Sequence, residues 1–483
     1  MEITLPSVTL IAILPEIILT ALACIFFVAE PFMPKEKKEW MGYFSIGALI
    51  CSGLSLFTLW GRNITTFSGM ITLDNYAIFF KGLFLVVSML AILISVRYIK
   101  IEEINFGEYY GLILFATVGM MFMSSATDLL TIYISLELMS FSFYILTAFM
   151  KRDIRSREAG IKYFLTGAFT SGLILYGIAF LYGLTGSTDL GSISAYVSQH
   201  SLSSSPMLFV AIVLLVAGFG FKIAVVPFHM WAPDVYEGAP TTVTAFLSAG
   251  SKIAAFSAML RIFVVGLGSS YDSWWQLLWL LSILTMTLGN ITALVQTNFK
   301  RLMAYSSIAH AGYILFGFVA ASRTGMAAVL IYSVAYSVMT LGAFTMIILL
   351  CRQNSRGDQI SDFKGLARTH PAVAGAFVIF ALSLVGIPPT AGFIGKLFLF
   401  NAAIQGSFYW LAIIGILNST VSLYYYFKVV MIMYMQEPED VAPLSFSPAL
   451  TVALFVMTFM TLFLGLYPEP LIRAAIQSVQ LFL

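Results

Sequence analysis

Residues 219 to 240 read FGFKIAVVPFHMWAPDVYEGAP, and the reading of this stretch decides the fold. A lysine, a histidine and three prolines stand inside what is otherwise a continuous apolar run. Around them the 483 residues are 60% hydrophobic and only 10% charged, against about 25% charged in an ordinary soluble domain. A helix crossing the hydrocarbon core takes roughly 20 apolar residues, and such stretches recur almost end to end. Runs such as Leu208 to Phe221 and Leu450 to Leu466 are continuously apolar, whereas strands of a membrane barrel would alternate. The class is therefore an all-α integral membrane protein, and the quoted stretch is a span broken at Pro227.

Fourteen spans are expected, at 7–29, 41–60, 76–97, 109–125, 128–149, 158–183, 206–226, 241–266, 274–296, 301–321, 326–350, 371–404 (broken), 408–434 and 448–467. The first apolar run follows Met-Glu without a basic leader, which reads as a retained span. Loops after odd-numbered spans hold Lys35, Lys37, Lys38, Arg97, Lys100, Lys151, Arg152, Arg155, Arg157, Lys300, Arg301, Arg352, Arg356, Lys364 and Arg368, and those after even-numbered spans only Arg62 and Arg323. Positive charge marks the cytoplasmic side, so both termini are expected on the outer face. The seventh span breaks at Pro227 beside Lys222, and the twelfth at Pro388-Pro389 beside Lys396. Five spans separate the breaks, an odd number, which suggests two inverted five-helix units, spans 4–8 and 9–13. Transporters build midplane sites from such paired interrupted helices. The corresponding division is 1–108, 109–266, 267–434 and 435–483.

Within the spans stand Lys81, Lys162, Lys222, Lys252, Arg261, Lys396 and Lys428, each costing on the order of 3 kcal/mol at a helix centre. Lys81, Arg261 and Lys428 lie near expected ends and are read as snorkelling. Lys252 and Glu137 lie ~16 Å and ~14 Å into their spans at 1.5 Å per residue and cannot reach an interface. Pro227 lacks an N–H and frees the carbonyl of Ile223, which in lipid must be met by water or protein, next to Lys222. Lys396 follows its own break, where the new half-helix would place a positive end near the amine.

Desolvation drives a buried amine toward its neutral form, and a nearby carboxylate drives it back. A chain of such groups is a proton relay, and Glu137, Lys162, Lys222, Lys252, His310 and Lys396 supply one group from each of six spans. His229 is read as a hydrogen-bonding neighbour of that line. The competing reading is that these groups are fixed salt bridges holding helices together. Aromatic residues are read as packing and interface belts. No CxxC pair or Cys/His cluster offers a metal or iron–sulfur site among Cys24, Cys51 and Cys351, and no GxGxxG follows a strand. A net charge of +2 gives no basic field for nucleic acid.

The segments FKIAVVPFHMWAPDVYEGAPTTVTAFLSAGSK (221–252), TNFKRLMAYSSIAHAGY (297–313) and GIPPTAGFIGK (386–396) resemble the antiporter-like membrane subunits of respiratory complex I. The resemblance runs over essentially the whole chain, and HMWAPDVYEGAP is characteristic of one member of that family. It implies fourteen transmembrane helices, inverted repeats, discontinuous seventh and twelfth helices and a proton channel. Matched by position, Glu137 and Lys222 would be a coupling ion pair, Lys162 its modulator, Lys252 and His310 the central connection and Lys396 the terminal group. The second repeat has no carboxylate at the place equivalent to Glu137, which leaves an ion pair around Lys396 in doubt. The resemblance further implies a non-redox subunit of a translocase, with NADH, flavin, iron–sulfur clusters and quinone held by other subunits. Its neighbours would be an antiporter-like M subunit and small membrane subunits within the bilayer. A stand-alone or Mrp-type cation/proton antiporter subunit shares this architecture and is the alternative, with a purely structural membrane-arm subunit as a third reading.

Overall fold

The computed structural model describes residues 8–34, 38–102, 104, 107–199, 206–351, 357–438, 444 and 446–480. Of the loop cations counted above, Lys35, Lys37, Arg352 and Arg356 lie outside the described residues. The helices in order are α1 (Leu14–Ala29), α2 (Glu39–Phe57), α3 (Asn75–Ile101), α4 (Glu108–Ser125), α5 (Leu129–Thr147), α6 (Ile154–Thr185), α7 (Leu190–Gln199), α8 (Pro206–Ile223) and α9 (Trp231–Gly238). There follow α10 (Thr241–Gly266), which winds through two π-helical turns, α11 (Trp275–Leu294), α12 (Phe299–Ala320), α13 (Arg323–Leu350), α14 (Pro371–Val385), α15 (Ala391–Gln405), α16 (Tyr409–Met435), α17 (Pro448–Leu466) and α18 (Glu469–Ser478).

Twelve helices among the described residues are long and apolar enough to cross a membrane. The other two expected spans correspond to α4 and to the broken pair α14–α15, whose halves are each too short alone. Polar side chains at the helix starts accept the otherwise unpaired first-turn N–H groups. Asp74, Asp128, Asp153, Asn298, Ser322 and Ser447 each do so, for α3, α5, α6, α12, α13 and α17. Both breaks fall at prolines, as expected, and each contains a cis bond, Val226–Pro227 and Pro388–Pro389.

The centre of the bundle is α10, wholly buried, flanked by the almost fully buried α12 and α13, while α1, α2 and α17 expose most of their apolar surface. An apolar helix can afford that exposure only against lipid or another protein. Two small elements were not legible in the hydropathy. One is an antiparallel hairpin, β1 (Ile64–Thr66) with β2 (Ile71–Leu73). The other is α7, a ten-residue helix burying Leu190, Ile193 and Val197 on one face and packed against the end of α10.

The two five-helix units repeat each other in detail. A Cβ on Gly119 of α4 would lie 2.7 Å from Met139 N and 2.8 Å from Ser135 O of α5, and one on Gly289 of α11 would lie 2.8 Å from Ala309 N and 2.9 Å from Tyr305 O of α12. Only glycine permits backbones to approach so closely. The start of α5 bridges Asp128 to Asp189, and the start of α12 bridges Asn298 to Gln359. Every matched pair lies at one constant interval in the sequence. Carried along that interval, Glu137 falls on Ser307 and Ser140 on His310.

Two cations expected to snorkel do not. Lys81 is fully buried, with its amine 2.6 Å from Glu16 of α1. Arg261, 4% exposed, donates to both oxygens of Asp74 at 2.9 and 3.0 Å and to the Ser124 carbonyl at 2.7 Å. Depth along a span was the wrong guide here, because a carboxylate from a neighbouring helix made burial affordable.

Candidate functional site

Lys222, Lys252, His310 and Lys396 expose 1–3% of their surface, so each must find its partners inside the protein. Glu137 is half-buried on α5, which also carries Ser140 and Tyr144 one and two turns further along the same face. The Lys222 amine donates to Ser140 Oγ at 2.8 Å and to the Tyr144 hydroxyl at 3.4 Å. The Glu137 carboxylate accepts from Ser171 of α6. Among the described contacts Glu137 and Lys222 form no direct ion pair. The expected pair is held apart, each member on its own hydroxyl.

Beyond Lys222 the chain leaves the helix, with Ala224 at φ 57°. The indole of Trp231, from α9, donates to the Phe221 carbonyl at 2.9 Å and so meets part of the backbone polarity that the break frees. Trp231 also stacks on Tyr163 at 4.6 Å between centroids. The break is therefore closed by an aromatic side chain.

Lys252 sits where α10 changes from π-helical to α-helical winding, a local irregularity often found at working sites. Its amine donates to Ser307 Oγ of α12 at 2.7 Å, and the ring of Tyr236 lies 5.7 Å away. One turn on, His310 Nδ1 lies 2.5 Å from the Tyr332 hydroxyl and Nε2 3.4 Å from that of Tyr426. Tyr426 in turn bonds Ser306. These tyrosines belong to the polar line and are not the mere packing that the composition suggested.

Lys396 closes the line. Its amine donates to the carbonyls of Leu384 at 3.1 Å and Val385 at 2.7 Å and to Ser419 Oγ at 2.8 Å, which uses all three ammonium donors. The Tyr313 ring lies 4.6 Å from the amine and 5.9 Å from the His310 ring. The expected placement at a positive helix end is corrected here. Although Lys396 belongs to α15, its side chain reaches back to the last carbonyls of α14, the negative end of that half-helix.

Two expected members stand apart. Lys162 is 44% exposed and bonds Glu158 at 2.7 Å and Asp234 at 2.9 Å, so it belongs to a surface cluster and not to the buried line. His229 lies half-buried in the break. The residues missed at first reading are Ser140, Tyr144, Ser171, Ser307, Tyr332, Tyr426 and Ser419. Helical spacing carried a signal for some of them. Ser140 follows Glu137 by one turn, and Ser307 precedes His310 by one. Among the described residues no group of three or more His, Cys, Asp or Glu could hold a metal ion.

The family described as "NADH:quinone oxidoreductase/Mrp antiporter, TM" matches residues 126–422. NADH-quinone oxidoreductase subunit N of Trichlorobacter lovleyi is 46% identical over 98% of each chain, and that of Desulforamulus reducens is 42% identical over 97% of this chain and 98% of its own. Among solved structures, a chain of respiratory complex I from Thermus thermophilus with bound aureothin superposes with a TM-score of 0.82 at 31% identity, covering 95% of this chain and 98% of its own. A chain of the Mrp complex from a Dietzia species superposes at 0.85 with 20% identity over 98% of each, a likeness of fold alone.

Proposed function

The chain belongs to the family of NADH-quinone oxidoreductase N subunits, antiporter-like members of the complex I membrane arm, and from that premise we propose how it handles protons. Glu137, Lys222, Lys252, His310 and Lys396 form a lateral relay, with Ser140, Ser307, Tyr332, Tyr426 and Ser419 as the hydroxyls between and beside them. Lys162 acts on the relay from outside it, and His229 is a neighbour of the break. The repeats divide at 109–266 and 267–434, and both termini face the outer side of a bacterial inner membrane. The chain itself carries no redox centre. NADH, flavin, iron–sulfur clusters and quinone belong to partner subunits, among them an antiporter-like M subunit and small membrane subunits.

The observation that carries this reading is that the four buried nitrogen groups of this line lie on hydroxyls or carbonyls and, among the described residues, make no direct ion pair with a carboxylate. Fixed structural salt bridges look different, as Lys81–Glu16 and Arg261–Asp74 do in this same chain. A nitrogen-rich line suits protons. A sodium path would be expected to coordinate the ion through carbonyl groups.

The test uses the assembled complex in sealed vesicles. Replacing Lys222 by Ala is expected to lower NADH-driven proton uptake about tenfold, a loss of ~1.4 kcal/mol in the pumping step, with the complex still assembled. Full pumping by Lys222→Ala would remove the relay, and sodium exchange without NADH in the same vesicles would favour the antiporter reading.

A further inference from the structure

The short helix α9 carries two kinds of side chain on opposite faces. Trp231 and Tyr236 point inward, 5% and 0% exposed, and Asp234 and Glu237 point to the surface. The inward pair reaches the backbone beside one lysine of the relay and the amine of another. Trp231 bonds the carbonyl of Phe221, the residue next to Lys222, and the Tyr236 ring lies against the Lys252 amine. Where α9 sits therefore sets the surroundings of two titratable groups.

The outward pair fixes that position from both repeats at once. Asp234 Oδ2 accepts from Lys162 of α6 at 2.9 Å, and Asp234 Oδ1 accepts from Arg301 of α12 at 2.9 Å. Arg301 also donates to Glu237 at 2.9 Å, and Lys300 donates to the Glu237 and Ala239 carbonyls at 2.9 and 2.6 Å. On the α6 side, Gly238 lies so close that a Cβ would come within 2.5 Å of the Arg155 carbonyl oxygen. A change in the separation of α6 and α12 must stretch one of the two Asp234 bonds or carry α9 with it. The helix α12 is the one that presents Ser307 and His310.

We propose that Asp234 is a positioning residue of the relay: by taking Lys162 from one repeat and Arg301 from the other, it sets where α9 places Trp231 and Tyr236 against Lys222 and Lys252. The proposal rests on the relay reading and deepens it. It gives Lys162 a definite role, exerted through Asp234 from the surface.

The experiment measures protons taken up per electron by the assembled complex in sealed vesicles. Asp234→Asn is expected to lower that ratio about threefold, within the range over which coupling residues act. Asp234→Glu restores most of it, which a role in filling space would not explain. The double variant Asp234→Asn, Lys222→Ala is expected to pump no worse than Lys222→Ala alone, because residues acting through one another are not additive. If Asp234→Asn does not assemble, Lys162→Gln and Arg301→Gln, each cutting one arm, are compared at equal complex content, and both are expected to lower the ratio. An unchanged ratio in Asp234→Asn, or in both single-arm variants, overturns the proposal, as do losses that multiply in the double variant. Full pumping by Lys222→Ala overturns the relay and this inference together, whereas full pumping by Asp234→Asn beside a defective Lys222→Ala overturns this inference only.

Discussion

The two five-helix repeats match in their close helix contacts and bridges and hold their lysines differently. In the first, Lys222 lies before the break, on Ser140 and Tyr144 of α5, with the Glu137 carboxylate one turn before Ser140 on α5 and bonded to Ser171. In the second, Lys396 lies after the break and rests on two backbone carbonyls and Ser419. The position matching Glu137 is Ser307, and that serine serves Lys252. The position matching Ser140 is His310. A carboxylate can move and can be protonated, whereas carbonyls at the end of a helix are fixed dipoles. The first repeat places a carboxylate near its lysine, and the second a constant field of backbone dipoles.

The largest effect should come from erasing that difference. Glu137→Ser gives the first repeat the side chain that the second has at the matching place. Proton uptake per electron is expected to fall about tenfold, equivalent to ~1.4 kcal/mol, with the complex assembled. Pumping within twofold of wild type would mean that the carboxylate is not the switchable element.

How far this arrangement was legible in the sequence depends on what each residue costs. Glu137, Lys222, Lys252, His310 and Lys396 stood out because an ionisable group at mid-span is expensive and needs a reason. The prolines located both breaks for a similar reason, since a lost hydrogen bond in lipid must be replaced. The hydroxyls did not stand out. A serine or threonine in a membrane helix can bond its own preceding turn, as Thr147 and Ser333 do here, so Ser140 and Ser307 look ordinary until a lysine is seen to face them. Lys162 was misplaced because depth in a span says nothing about which face of the helix a residue occupies. The surface cluster around Asp234 and Arg301 joins residues from three helices far apart in the chain, and no local pattern announces it. Lys81 and Arg261 failed for the same cause, their partners Glu16 and Asp74 lying on other elements.

The reverse exchange sharpens the comparison with a smaller effect. Ser307→Glu would set a carboxylate against the Lys252 amine at the place where Ser307 now accepts at 2.7 Å. If the second repeat merely lacked an acid, pumping would hold or rise. A buried, closely paired carboxylate instead keeps its lysine charged, and the central group then cannot release a proton. Uptake per electron is expected to fall about threefold, the effect of a coupling change near ~0.7 kcal/mol, checked in the same vesicle assay at equal complex content.

The smallest effect should be at Ser419, and its smallness is what the constant-field picture requires. Ser419 Oγ accepts from Lys396 at 2.8 Å and itself donates to the Val385 carbonyl at 2.7 Å. Its removal leaves the amine with both carbonyls and beside the Tyr313 ring, and Val385 O with the amine, so only the third ammonium N–H loses its hydrogen-bond partner. The loss is then the net worth of one hydrogen bond at its low end, about twofold in proton uptake. Lys396→Ala, by contrast, withdraws the donor from both carbonyls of the break as well as the titratable group, and is expected to cost far more than Ser419→Ala in the same assay. If Ser419→Ala cost as much as Glu137→Ser, the serine would be gating Lys396 as Glu137 gates Lys222, and the two repeats would differ in residue type without differing in principle.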